Sequence, residues 1–213
     1  MNAIVHELLA DKQQPRLEEA TELALSDRQG LDEILAGIVA KDDVYRYNCF
    51  QVLYRLSEEQ PDVLYPEWDY LVELLDSENS YHRSIAGQLL ANLARADVEG
   101  RFEASFSRIF ALLDDAKIVP ARQFAQHVGR IAHAKPHLQA RITERLLAVD
   151  ESHHTESRKD LLKGDIIAAF DEFFADSPDQ ERILAFVEQQ LACSSPSTRK
   201  AAKAFLQRHG RQE

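Results

Sequence analysis

Apolar positions along the chain recur at helical spacing and break at short polar turns. In IVHELLADKQQPRLEEATELAL, LDEILAGIVAKDDVYRYNCFQVLYRL and WDYLVELLDSENSYHRSIAGQLLANL, apolar residues return every three or four positions, pause at an Asp-rich turn, and resume. FSRIFALLDDAKIVPARQFAQHVGRI, ITERLLAVDESHHTESRKDLLKGDIIAAF and ILAFVEQQLACSSPSTRKAAKAFLQRH follow the same plan. The pattern predicts an all-α chain of about six helical hairpins. Pro15, Pro66, Pro120, Pro178 and Pro196 fall at or just before expected helix starts, where a missing N–H costs no hydrogen bond. Ser177 and Ser195 precede two of them as capping residues. Nothing in the composition marks a linker, so residues 1–213 read as a single repeat domain.

An arginine opens each expected second helix: Arg16, Arg46, Arg83, Arg122, Arg158 and Arg199, at steps of 30, 37, 39, 36 and 41 residues. A turn aspartate precedes five of them: Asp11, Asp42 or Asp43, Asp76, Asp114 or Asp115, and Asp150. Positions three, four and six or seven after the arginine are mostly apolar or small. They read Cys49, Phe50 and Leu53, then Ala86, Gly87 and Leu90, then Ala125 and Val128, then Ala202 and Phe205. Helical geometry places them on one stripe against the partner helix. In the fifth unit the stripe, Leu161, Leu162, Ile166 and Ile167, is shifted by a few residues. A hairpin alone would leave a second apolar face wet, so neighbours must stack.

This combination of turn Asp, following Arg and small-residue second helix resembles the HEAT repeat family. The resemblance implies a right-handed α-α superhelix, or solenoid, in which Asp and Arg of successive units pair along the stack. It also implies that second helices line the concave side. Two departures are visible: the steps are shorter than the ~40–47 residues usual for these repeats, and the sixth unit lacks its Asp.

Composition fits a folded, water-exposed chain: 45% apolar and 29% charged over 213 residues. No run approaches the ~18 apolar residues of a membrane span. The start, MNAIVHELLADKQQ, lacks a charged leader and an apolar signal core. A cytoplasmic protein without membrane contact is expected, with Cys49 and Cys193 as small core residues. The net charge of −11 argues against nucleic acid or anionic lipid as partner.

That charge is sorted. Second helices over 44–57, 80–96, 119–135, 157–174 and 197–211 together carry +11, and the remainder carries −22. Beyond the repeat arginines, Tyr47, Gln51, Tyr54 and Arg55, then Gln88, Asn92 and Arg95, then Gln126, His127 and Arg130 fall in a sector away from the apolar stripe. With the resemblance, they form a carboxylate-free concave lane suited to a protein, a peptide or a phosphate backbone.

Chemical motifs are sparse. There is no G-x-S-x-G, no phosphate-binding glycine loop and no C-x-x-C. His6-Glu7 is the only His-Glu pair, so the two-iron site of deoxyhypusine hydroxylase, a HEAT-like enzyme, cannot be assembled. Nothing marks the bilin site of HEAT-like phycobiliprotein lyases. HEAT-like DNA glycosylases are closer in size, and the lane mimics their positive face. However, Trp68 shares an apolar stripe with Leu71 and Leu75 and is expected in the core. His153-His154 is expected to be solvated, because adjacent histidines diverge and no third ligand has a fixed spacing; His127, His133 and His137 are interrupted by Pro136. The basic tail STRKAAKAFLQRHGRQE is expected to close the solenoid with Ala201, Ala202, Phe205 and Leu206 inward. The expectation is a non-enzymatic scaffold or adaptor without metal or cofactor, binding a protein or peptide. The alternative is a nucleic-acid-binding module using the same lane.

Overall fold

The computed structural model describes residues 3–210, and among them every regular element is helical. The chain divides into two compact units, Met1–Glu99 and Gly100–Glu213. The first contains α1 (Ala3–Leu9), α2 (Leu17–Ser26), α3 (Arg28–Gly37), α4 (Asp43–Glu59), α5 (Pro61–Leu64), α6 (Trp68–Leu74) and α7 (Ser80–Leu93). The second contains α8 (Arg101–Phe110), α9 (Ile118–Ala125), α10 (Val128–Ala134), α11 (Gln139–Leu147), α12 (Glu156–Phe173), α13 (Gln180–Gln189) and α14 (Pro196–His209). Gly100, at the boundary, has φ +75°, a left-handed conformation that a residue without Cβ adopts at little cost.

Each unit has two layers. In the first, α1 and α3 touch in one layer while α2, α4 and α7 pack in succession in the other. In the second, α11 and α13 touch, and α9 and α10 pack on α12, which packs on α14. Leu9, Ile34, Leu53 and Trp68 are fully buried in the first unit. Phenylalanines dominate the second: Phe106 stacks on Phe110 at 4.1 Å between ring centroids, and Phe110 meets Phe124 edge-on at 5.2 Å. Each such side chain contributes about 1.5–3 kcal/mol of burial.

Caps explain where helices begin. Asp27, Asp42, Asn79 and Ser195 accept backbone N–H bonds at the starts of α3, α4, α7 and α14. Several details differ from the sequence reading; α7 ends at Leu93, α12 spans Glu156–Phe173 and α14 spans Pro196–His209. The second helix expected over 119–135 is broken at Gln126–His127. There the His127 Nδ1 lies 2.7 Å from the Gln123 carbonyl, and the His127 backbone N–H turns to the Phe124 carbonyl at 2.8 Å. The side chain thus takes the acceptor that helix continuation requires. α4 runs to Glu59, not to residue 57, and begins at Asp43, which adds three acids to that helix. Finally, Phe50 is half-buried and shares a stripe with Tyr47 and Tyr54, not with Cys49 and Leu53; Leu161 is exposed while Leu162, Ile166 and Ile167 are buried.

Trp68 is 1% exposed and both cysteines are free and buried, as expected of core residues. Burial pushes the Cys49 thiol up to about 12, which leaves it unreactive. In α14, Ala202 and Phe205 are buried while Ala201 and Leu206 are half-buried; Arg211, Gln212 and Glu213 of the tail lie outside the described residues.

Candidate functional site: the layer of second helices

The repeat arginines and aspartates have separate tasks. Arg46 donates to the Ala40 carbonyl at 2.9 Å, Arg83 to Ser77 at 2.6 Å and Glu78 at 3.1 Å, and Arg199 to Cys193 at 2.6 Å and Ser194 at 2.8 Å. Five or six residues back in each case, these carbonyls belong to the turn after the first helix. The guanidinium clamps its own turn, and the sixth unit does so without an Asp. Arg46 also pairs with Asp43 and lies over the Tyr81 ring at 5.1 Å. The aspartates order backbone: Asp11 accepts from Gln13 and Gln14, Asp42 from Tyr45, and Asp115 from Lys117.

The pairing implied by the HEAT resemblance is therefore replaced at several positions. Arg16 pairs with Glu7 at 3.2 Å and Glu19 at 3.4 Å, not with Asp11. Arg122 makes two bonds to Asp165 of α12, at 2.6 and 3.1 Å, while Asp114 is occupied by His153. Arg158 is exposed, and Asp150 instead holds Lys163 at 2.7 Å.

The expected lane residues fall into two groups. One group joins neighbouring helices. Asn92, 4% exposed, donates from α7 to Ser57 of α4 at 2.8 Å, and Arg95 donates to the Glu58 carbonyl. Gln126 donates to Asp165 at 2.8 Å, joining α12 to the end of α9. Gln88 and His127 are buried and bond to carbonyls one turn back in their own segments. Arg130 is half-buried beside Glu172, whose carboxyl is raised by burial against the pull of Arg130 and His133. Asp165 thus puts a carboxylate where none was expected in the lane.

The second group remains at the surface of α4. Tyr47 is 57% exposed; its ring lies 6.4 Å from Phe50, which meets Tyr54 at 5.5 Å. Positions 47, 50 and 54 share one helical stripe. Gln51 flanks it half-buried, and exposed Arg55 pairs with Glu59 at 3.0 Å. Sequence reasoning missed Asn48, which is buried and donates to the Leu9 and Asp11 carbonyls at 2.8 and 3.2 Å, stitching α4 to the first turn. An Asn in the middle of an apolar helix was the available signal.

A third feature lies on the turns. Asp114 Oδ1 accepts from the His153 backbone N–H at 3.0 Å and lies 2.6 Å from its Nδ1. Contrary to the expected solvated pair, His154 is 4% exposed. Apart from a loosely placed Leu113 carbonyl its ring nitrogens have no hydrogen-bond partner, and burial, followed by the His153 charge, lowers its pKa against the opposing influence of Asp114 and that carbonyl.

No protein-family profile matches the chain, and no curated protein matches it in sequence. Among solved structures, a designed armadillo repeat protein, YIII(Dq)4CqI, is similar at 17% identity and TM-score 0.58, over 96% of this chain and 98% of that one. The crystal structure of an engineered protein is 18% identical with TM-score 0.49, covering 97% of this chain and 96% of the other. The first similarity places the fold among helical-repeat α-solenoids. No described helix is long and apolar enough to cross a membrane.

Proposed function

We propose that this α-solenoid is a HEAT-like, non-enzymatic scaffold or adaptor that binds a protein or peptide segment through α4. One observation carries the reading: the surface aromatic stripe Tyr47–Phe50–Tyr54, flanked by Gln51 and Arg55. Tyrosines lose little conformational freedom on binding and offer both apolar area and a hydroxyl, which is why such residues anchor interfaces. Nucleic acid is the weaker reading, because Arg55 and Arg95 already face Glu59 and the Glu58 carbonyl and the net charge is −11.

The test is selection of binding peptides against the full chain, followed by affinity measurement on variants. Tyr47→Ala with Tyr54→Ala should weaken the selected peptide more than about tenfold, a loss of ~1.4 kcal/mol or more, while folding is unchanged. Charge reversal of Arg55, Arg95 and Arg130 should matter less. Salt-sensitive binding of duplex DNA that disappears on this reversal would instead favour the nucleic-acid reading.

A further inference from the structure

Asp114 and the adjacent His153 and His154 come together from two consecutive turns of the second unit, although 39 residues separate Asp114 from His153. Their potential ligand atoms all lie within 4.8 Å of one another. Two imidazoles and one carboxylate are a donor set that suits zinc and related divalent transition metals. Loop curvature makes the set possible: the two histidine rings, expected to diverge, lie 4.5 Å apart with a 41° tilt.

The independent sign is His154. It is 4% exposed, yet apart from a loosely placed Leu113 carbonyl its nitrogens have no hydrogen-bond partner. A buried imidazole normally satisfies at least one of them, since leaving a buried polar atom unpaired costs about 1–3 kcal/mol. Nearby, Ser152 also has a buried hydroxyl without a partner, and it lines a cavity of about 170 Å³ together with Asp114, Arg145 and Ile166. The cationic side chains near the cluster are Arg145 and Arg158, and Glu151 also borders the cavity.

We propose that Asp114, His153 and His154 bind a divalent transition metal of the zinc class, which fastens the 111–117 turn to the 150–155 turn. A tetrahedral zinc with ligands at about 2.0–2.1 Å separates its donor atoms by roughly 3.3 Å. The 2.6 Å contact between His153 Nδ1 and Asp114 Oδ1 must therefore open slightly as the metal replaces the proton they share, and the remaining separations must close. Asp114 and His153 are about half exposed, so the ion has a path to the site and a fourth position open to water.

Metal-free full-length protein is titrated with Zn²⁺ against a chromogenic chelator and, separately, with Co²⁺ followed by visible absorption. The expected result is one saturable equivalent, tetrahedral cobalt bands and a rise in melting temperature with Zn²⁺. Asp114→Asn and His153→Ala, both at exposed positions, should each weaken binding more than about tenfold. His137→Ala, just before α11 and beside Glu103, should leave it unchanged. Absence of saturable binding, binding indifferent to Asp114→Asn and His153→Ala, or binding abolished by His137→Ala would each overturn the proposal. His154→Ala, which removes a buried side chain, is interpreted only if its circular dichroism matches that of the parent.

Discussion

Arg199 defines the role of the repeat arginine most clearly, because its turn contains no aspartate and the guanidinium still grips two carbonyls. Charge-assisted bonds to backbone end groups contribute about 1.5–3 kcal/mol when solvent is partly excluded. Arg199→Ala should therefore lower stability by about 1–2 kcal/mol in urea denaturation. Asp42, by contrast, acts as an N-cap, and asparagine caps as well as aspartate. Asp42→Asn should change stability by less than about 0.5 kcal/mol, whereas an ion-pair role would cost more than that. The recurrent Asp–Arg spacing was fully legible in the sequence, but its partners were not. Arg46, Arg83 and Arg199 satisfy carbonyls of their own turns, while Arg16 and Arg122 pair with Glu7 and Asp165. His82 adds a pH effect. Burial and the Arg46 cation hold its pKa below the usual value, so the unfolded chain takes up this proton first as pH falls. The stability it supports is complete above about pH 6.5 and declines as pH drops through that value. Melting temperatures measured between about pH 7.5 and pH 5.5 should fall, and His82→Gln should flatten part of the slope.

Most helices and their order followed from apolar periodicity, while α5, the split between α9 and α10 and the helix ends did not, since periodicity does not register individual polar side chains. The break at His127 is the clearest case, since its cause is one ring nitrogen competing for one carbonyl. Close approach between helices was partly legible as small residues, and Gly37 gives it a measurable form. A methyl group built there would stand 2.3 Å from the Cys49 Sγ, between α3 and a fully buried part of α4. Replacing a helical glycine by alanine gains up to ~1 kcal/mol of helix propensity, but overpacking costs about 1–3 kcal/mol. Gly37→Ala should be net destabilising. Cys49→Ala in the same chain should recover part of the loss, because the obstructing sulfur is gone; a strictly additive double variant would contradict the contact.

For the molecule as a whole, the α-solenoid class could be read from the repeats, and the sorting of charge set the layer of second helices apart. The use of that layer could not be read, because one sequence does not distinguish a polar residue facing solvent from one facing the next helix. Asn92 is buried against its neighbour, Arg95 and Gln126 are exposed but bond to one, and Tyr47 and Arg55 are exposed. With −11 net charge and these arginines already engaged, the chain should not shift duplex DNA even at low salt, and a salt-dependent shift in an electrophoretic assay would contradict this. The tie between α7 and α4 through Asn92 is structural, whereas Tyr47 of α4 presents its ring to solvent. Urea denaturation of Asn92→Ala tests it most directly. Loss of a buried bond to Ser57 should destabilise the protein by about 1–3 kcal/mol. A change within about 0.5 kcal/mol, as for a solvent-facing side chain, would mean that Asn92 lines an open groove after all.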